Sequence, residues 1–373
     1  MRRRTFLQAS SAALALAALR PRVVLGQPRA AGEVLVVIWL RGGWDSLSAF
    51  VPRDSAPYRQ ARPNLAVPRP LELEGPLGLH PALAPLSELY QAGRMAVVPA
   101  AGLASDTRSH FQATAWMEGG IPGRSAATGW LARTLRELCH EPDGIPALAM
   151  GWPGQALQGY ERALVLDDLD ELDFSLDRED LAARLMDPPS QQALKLLRLV
   201  RRVADRPDSS RVDYPESDFG WQLSQAARLI RCPELSVRVV TLDLDGWDTH
   251  AYQPEPLKEL LAELAGGLRA FHDDLQERPV TTVVMSEFGR QLAENGSQGT
   301  EHGRGGAMLA LGPGIRGGLY GDWPDLTGCT DLPVTVDFRL VLAELLQRRL
   351  GCQALERIFP GFGSFQPLGL ATP

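Results

Sequence analysis

Cysteine is scarce in these 373 residues: there are four, at 139, 232, 329 and 352. No two form a CxxC pair, which excludes a zinc ribbon. Two outcomes stay open for them: one or two disulfides, with Cys329 and Cys352 the closer pair in sequence, or buried free thiols. An excess of basic charge is also missing. Asp and Glu outnumber Lys and Arg by 45 to 38, and the scattered cations leave no electrostatic footprint for nucleic acid. Beyond the first thirty residues, no segment approaches the ~20 apolar residues that span a bilayer. No internal repeat or low-complexity tract is present.

What is there begins at the first residues. Arg3-Arg4-Thr5-Phe6-Leu7 is followed by an apolar run, Ala12 to Leu19, and by small residues near Val24-Leu25-Gly26. Basic, apolar and small-residue regions in that order predict an export signal over residues 1–26, and the paired arginines point to the twin-arginine machinery. The alternative, an amphipathic first helix, lacks a polar face. The expected location is therefore periplasmic or extracellular, reached by a chain that folds before export. Removal of the segment takes away five arginines and no acid, deepening the net charge from −7 to about −12. The remaining length exceeds the ~250–300 residues at which single cores stop growing. One large α/β domain over residues 33–365, carrying an insertion, is expected.

The run Glu33–Leu40 is continuously apolar after its first residue and stops at Arg41-Gly42-Gly43. Such a run predicts a strand buried on both faces, as in a parallel sheet covered by helices. Further strands are expected at 95–99, 237–242, 280–285 and 307–311, and helices at 82–91, 255–276 and 337–349. In the second of these helices Leu257, Leu260, Leu261 and Leu264 form one stripe. Strand, helix and strand at this spacing predict an α/β fold with a largely parallel central sheet flanked by helices. Residues 165–212 are charged and helical in character, which suggests an inserted cap.

Ligands of such folds sit beyond the carboxyl ends of the strands. There the sequence places Gly42-Gly43-Trp44-Asp45, then Arg108-Ser109-His110-Phe111, Asp245-Gly246-Trp247-Asp248-Thr249-His250, Ser286-Glu287-Phe288-Gly289-Arg290 and Glu301-His302-Gly303-Arg304. Carboxylates and imidazoles converging from separate rigid elements are what one or two divalent cations require. Each piece has a plainer alternative. Asp45 suits a turn or helix cap, Ser109 a helix cap, His250 and His302 hydrogen-bonded loop positions, and Glu287 a pair with Arg290.

The segments Arg41–Asp45, Gly78-Leu79-His80-Pro81-Ala82-Leu83, Arg108–Phe111, Gly246–His250, Ser286–Arg290 and Gly317-Gly318 resemble a family of twin-arginine-exported bacterial proteins of unknown function, within the alkaline phosphatase and sulfatase superfamily. The resemblance implies an alkaline-phosphatase-like three-layer sandwich. It implies that Asp45, Asp248, His250, Glu287 and His302 bind one or two ions, zinc or else magnesium, calcium or manganese, with Asp245 as a further candidate. It also implies that Ser109 is a nucleophile toward phosphate or sulfate esters. Phe288 departs from the pattern, since it stands where a ligand His belongs. Arg108, Arg290 and Arg304 are candidate contacts for an anionic ester, with surface solvation as the plainer role. Ser55-Ala56-Pro57-Tyr58-Arg59 matches a sulfatase modification motif by chance, being too close to Asp45. The competing expectation is a non-catalytic exported protein that binds a glycan or a surface component.

Overall fold

The computed structural model describes residues 32–139, 144–167, 196 and 198–373. In chain order its strands are β1 (Val34–Leu40), β2 (Phe50–Pro52), β3 (Leu71–Glu72), β4 (Leu77–Leu79), β5 (Met95–Gly102), β6 (Ala147–Met150) and β7 (Ala163–Leu166). They continue with β8 (Val239–Leu244), β9 (Val280–Met285), β10 (Arg290–Glu294), β11 (Thr300–His302), β12 (Gly306–Leu311), β13 (Gly318–Leu319) and β14 (Val336–Asp337). Nine of them form one sheet in the order β13-β5-β12-β9-β1-β8-β6-β7, with β14 also paired to β5. Every pairing in it is parallel except those of β12, which runs antiparallel to both β5 and β9.

The strand β1 lies between β8 and β9, and all seven of its residues are buried. Their alternation explains why the run shows no polar period. Val34, Val36, Ile38 and Leu40 enter one core with the helices Ala84–Gln91, Asp218–Ile230 and Pro254–Leu275. Leu35, Val37 and Trp39 enter a second core with the helices His110–Gly119, Trp130–Leu138 and Phe338–Arg348. The chain is thus a three-layer α/β sandwich with a mainly parallel central sheet.

The five expected strands all occur. β6 and β7 are additional, and they extend the sheet beyond β8. Most of the expected insertion lies outside the described residues. Of its described end, Val200 and Val203 are buried in the first core. The four cysteines are free thiols, with no Cys329–Cys352 disulfide, and of the four only Cys352 is buried, the others being half-buried. Burial pushes the pKa of the Cys139, Cys232 and Cys352 thiols above the ordinary value and so keeps them protonated.

The reversed strand matters for position. Gly306, the first residue of β12, pairs with Ala101 at the carboxyl end of β5. Residues just before β12 therefore reach the same edge as residues just after β1, β8 and β9.

Candidate metal centre

At that edge β1 turns through two glycines. Gly42 has φ +118° and Gly43 φ +69°. A Cβ on Gly42 would lie 2.5 Å from the Asp248 backbone nitrogen, and one on Gly43 only 2.3 Å from the Phe288 ring. Only glycine accepts both the backbone angle and the crowding. The turn is held from outside by Arg290, whose side chain is fully buried. Its guanidinium donates to the carbonyls of Gly42, Gly43, Trp247 and Thr300 and to Asp248 Oδ1 at 2.7 Å. One cation thereby fixes the turns after β1 and β8 and the strand β11. Arg290 has no face left for a substrate, which corrects its expected role as an anion contact.

Three imidazoles meet Asp248 beyond this clamp. The Nε2 atoms of His250, His302 and His110 lie 3.0, 3.1 and 3.4 Å from Asp248 Oδ1. His302 Nε2 is also 3.0 Å from His110 Nε2 and 2.8 Å from His250 Nε2. A tetrahedron with arms of ~2.0–2.1 Å, as for zinc, has edges of about 3.3 Å, so these separations fit one small cation. His110, Asp248 and His302 form a group in which all ligand atoms lie within 4.8 Å of one another and which can hold a metal ion. His250 lies against Asp248 and His302 but stands outside this group.

The opposite nitrogen of each ring fixes which atom faces inward. His110 Nδ1 lies 2.7 Å from Glu287 Oε1, His250 Nδ1 3.1 Å from Glu301 Oε2, and His302 Nδ1 2.8 Å from the Arg108 carbonyl. These partners are acceptors, so each Nδ1 carries the proton and donates. Each Nε2 then presents a lone pair toward the others. The lone pairs of His110 and His302 and the Asp248 carboxylate oxygen, brought within 4.8 Å of one another, repel unless a cation sits between them, and outward Nδ1–H bonds of this kind are the usual support of metal-bound histidine.

The charges agree. Burial would raise the Asp248 carboxyl, but a hydrogen bond from His302 Nε2, when that ring is protonated, and the bond and charge of Arg290 hold it below the usual range. For Glu287 too, burial is overcome by the His110 bond and by backbone N–H groups, including that of Gly42 at 2.9 Å. The Glu287 bond in turn raises His110 against its own burial. Phe288 is buried beneath the centre, its ring 4.8 Å from that of His110 and 4.9 Å from that of His302. It supplies a packed floor where a further ligand is expected from the resemblance.

Asp45 has a different position from the one expected. Its carboxylate accepts from Arg62 at 2.6 and 3.0 Å, from Ser48 at 2.7 Å and from Gln253 at 2.7 Å, and both Asp45 and Arg62 are wholly buried. Desolvation is outweighed by the Arg62 charge, and the carboxyl stays below its ordinary value. A guanidinium therefore occupies the cation position of Asp45, and these residues do not fit a second metal. Glu287 acts on His110 rather than alongside Asp45. Gln253 links the two regions: its Oε1 accepts from Thr249, between Asp248 and His250, and from Thr300.

Ser109 begins the helix that carries His110, and its hydroxyl makes no capping bond. Arg108 is exposed and paired with Asp331, and Arg304 lies 3.7 Å from Asp106. Ser55 is a helix cap that accepts from the Tyr58 N–H. His110 was not among the residues expected to bind metal, although it stands beside Ser109 in the quoted motif. Arg62 carried no local signal.

Among solved structures, the chain resembles a candidate sulfatase from Bacteroides thetaiotaomicron at 9% identity and a TM-score of 0.42, over 91% of this chain and 74% of that one. It resembles Ps i-CgsB, in complex with k-i-k-neocarrahexaose, at 10% identity and a TM-score of 0.39, over 78% of this chain and 68% of that one. No curated protein matches. Residues 33–338, which include every residue of the centre, match the family described as Protein of unknown function (DUF1501), and the chain belongs to that family.

Proposed function

We propose that this protein is an exported, metal-dependent hydrolase of phosphate or sulfate esters, built on the alkaline phosphatase superfamily plan. The observation that carries the proposal is the grouping of His110, Asp248 and His302 with their ligand atoms within 4.8 Å of one another, each ring fixed through Nδ1 and His250 alongside. Two imidazole nitrogens and one carboxylate oxygen, with His250 beside them, suit zinc or a similar first-row ion better than magnesium or calcium. One ion per chain is expected, because Arg62 occupies Asp45. Bound there, such an ion supplies Lewis acidity to an ester oxygen.

The chain's own groups supply the rest. Ser109 offers an uncommitted hydroxyl one residue from His110. Arg108 and Arg304 bring guanidinium groups to the same edge, where they can orient an anionic ester. Arg290 keeps Asp248 ionised and in place. The export reading rests on Arg3-Arg4 and the apolar run behind them. A non-catalytic binding protein is the second reading. It is favoured by Phe288 in place of a ligand and by the pairing of Arg108 with Asp331.

The test joins elemental analysis of protein purified from the periplasm to a screen of aryl phosphates and aryl sulfates. About one zinc-type ion per chain is expected, lost in His302→Ala and in His110→Ala. Turnover should vanish in Ser109→Ala with the ion retained. Metal-free protein that takes up no added zinc, manganese or magnesium and turns over no ester would overturn the hydrolase reading.

A further inference from the structure

Large apolar side chains left in water are few and unevenly placed. Among the described residues they are Phe111, Trp152, Val165, Trp221 and Tyr252. Val165 lies on the edge strand β7. The four aromatics belong to segments that leave the carboxyl ends of strands or begin the helices there. Phe111 is 90% exposed and directly follows His110. Tyr252 is 77% exposed, stands two residues past His250 and has φ +51°. A bulky residue held in the left-handed region costs free energy, and a ring in open water repays none of it through packing. Neither ring serves the core, and each adjoins an imidazole of the centre.

Trp152, 70% exposed, follows β6 and continues the same edge. Its loop reaches the centre through a chain of contacts. Gln155 and Ala156 donate to Glu118, Glu118 pairs with Arg41, and the next residue, Gly42, donates to Glu287, the partner of His110. Trp221, 43% exposed, begins a helix whose next residue, Gln222, lies against Gly151. Polar groups adjoin the same centre: Glu301 reaches His250 and Asn295, and Arg108, whose carbonyl bonds His302, pairs with Asp331.

We infer that this aromatic rim binds a sugar chain and that the ester acted on is carried by a carbohydrate. A pyranose ring has apolar C–H faces that cover an aromatic ring and hydroxyls that bond to carboxylates, amides and guanidiniums. Exposed rings interleaved with such groups match that chemistry. Acids interleaved with the cations Arg108 and Arg304 suit a hydroxyl-rich partner better than a uniformly anionic lipid surface. The inference rests on the proposed hydrolase only for the ester; sugar binding itself does not require a metal.

The test is affinity electrophoresis of the full protein through gels containing dextran, laminarin, pectin or chondroitin sulfate. At least one should retard the wild type, and Phe111→Ala/Tyr252→Ala should weaken that retardation at least fivefold while metal content stays unchanged. The two positions are solvent-exposed, so the variant should fold. Trp152→Ala should weaken it separately. Wild-type migration unaltered by all four polysaccharides, or retardation equal in the double variant, would overturn the inference. Flotation with phosphatidylglycerol vesicles in place of retardation would overturn it in favour of a lipid surface. A metal-free protein that is still retarded would sink the hydrolase and leave the sugar site standing.

Discussion

Substitution of the buried pair Asp45–Arg62 tests whether the carboxylate after β1 serves the fold or a metal. The guanidinium donates to both Asp45 oxygens, and neither side chain meets solvent. Removing one partner of a buried pair leaves the other uncompensated, at about 3–5 kcal/mol. Arg62→Met also strands the carbonyls of Leu292 and Gln291, to which Arg62 donates at 2.8 Å, adding about 1 kcal/mol or more. Asp45→Asn should therefore lose about 3–5 kcal/mol and Arg62→Met about 4–6 kcal/mol. In Asp45→Asn/Arg62→Met no buried charge remains unpaired, so its loss should fall short of the sum by at least about 2 kcal/mol. The assay is urea unfolding of the four proteins at pH 7, with elemental analysis alongside. Metal content should be equal in wild type and Asp45→Asn. Additive losses, together with disappearance of the ion from Asp45→Asn alone, would refute the reasoning and return Asp45 to the metal.

Gly43→Ala should destabilise the turn by more than 1 kcal/mol and lower metal affinity, since the new methyl meets Phe288 at φ +69°; titration with a zinc indicator reads the second effect. Burial pushes Asp243 up to about 6, against the pull of Arg41. An acid whose pKa is raised on folding binds its proton more tightly in the native state, so this group's contribution falls as pH rises from about 4 to 6, by up to about 3 kcal/mol. Asp243→Asn should flatten the urea midpoint across that window. Protein denatured without reductant should release four thiols per chain to Ellman's reagent, and a value near two would show that a disulfide forms.

The sheet was legible where burial on both faces writes itself as an unbroken apolar run, as in β1 and β12. β6 and β7 are four-residue strands beyond that signal, and their pairing depends on β8, far along the chain. The direction of β12 could not be read locally, because a strand's own sequence is the same in either orientation. Of the centre, the strand-end rule located Asp248, His250 and His302, which the structure brings together. It passed over His110, whose value comes from Glu287, 177 residues away. Arg290 and Arg62 look like any surface arginine in sequence. Their work as buried clamps follows from partners that only the tertiary fold supplies.

The reversal of β12 has a consequence for biogenesis. His110 and His302 are 192 residues apart, and the second arrives only with the hairpin β10–β11 that leads into β12. No amino-terminal fragment can present all the ligand atoms, and a nascent chain acquires them only after nearly the whole sheet has been synthesised and closed. Occupancy by the proposed ion would thus report that the domain is complete.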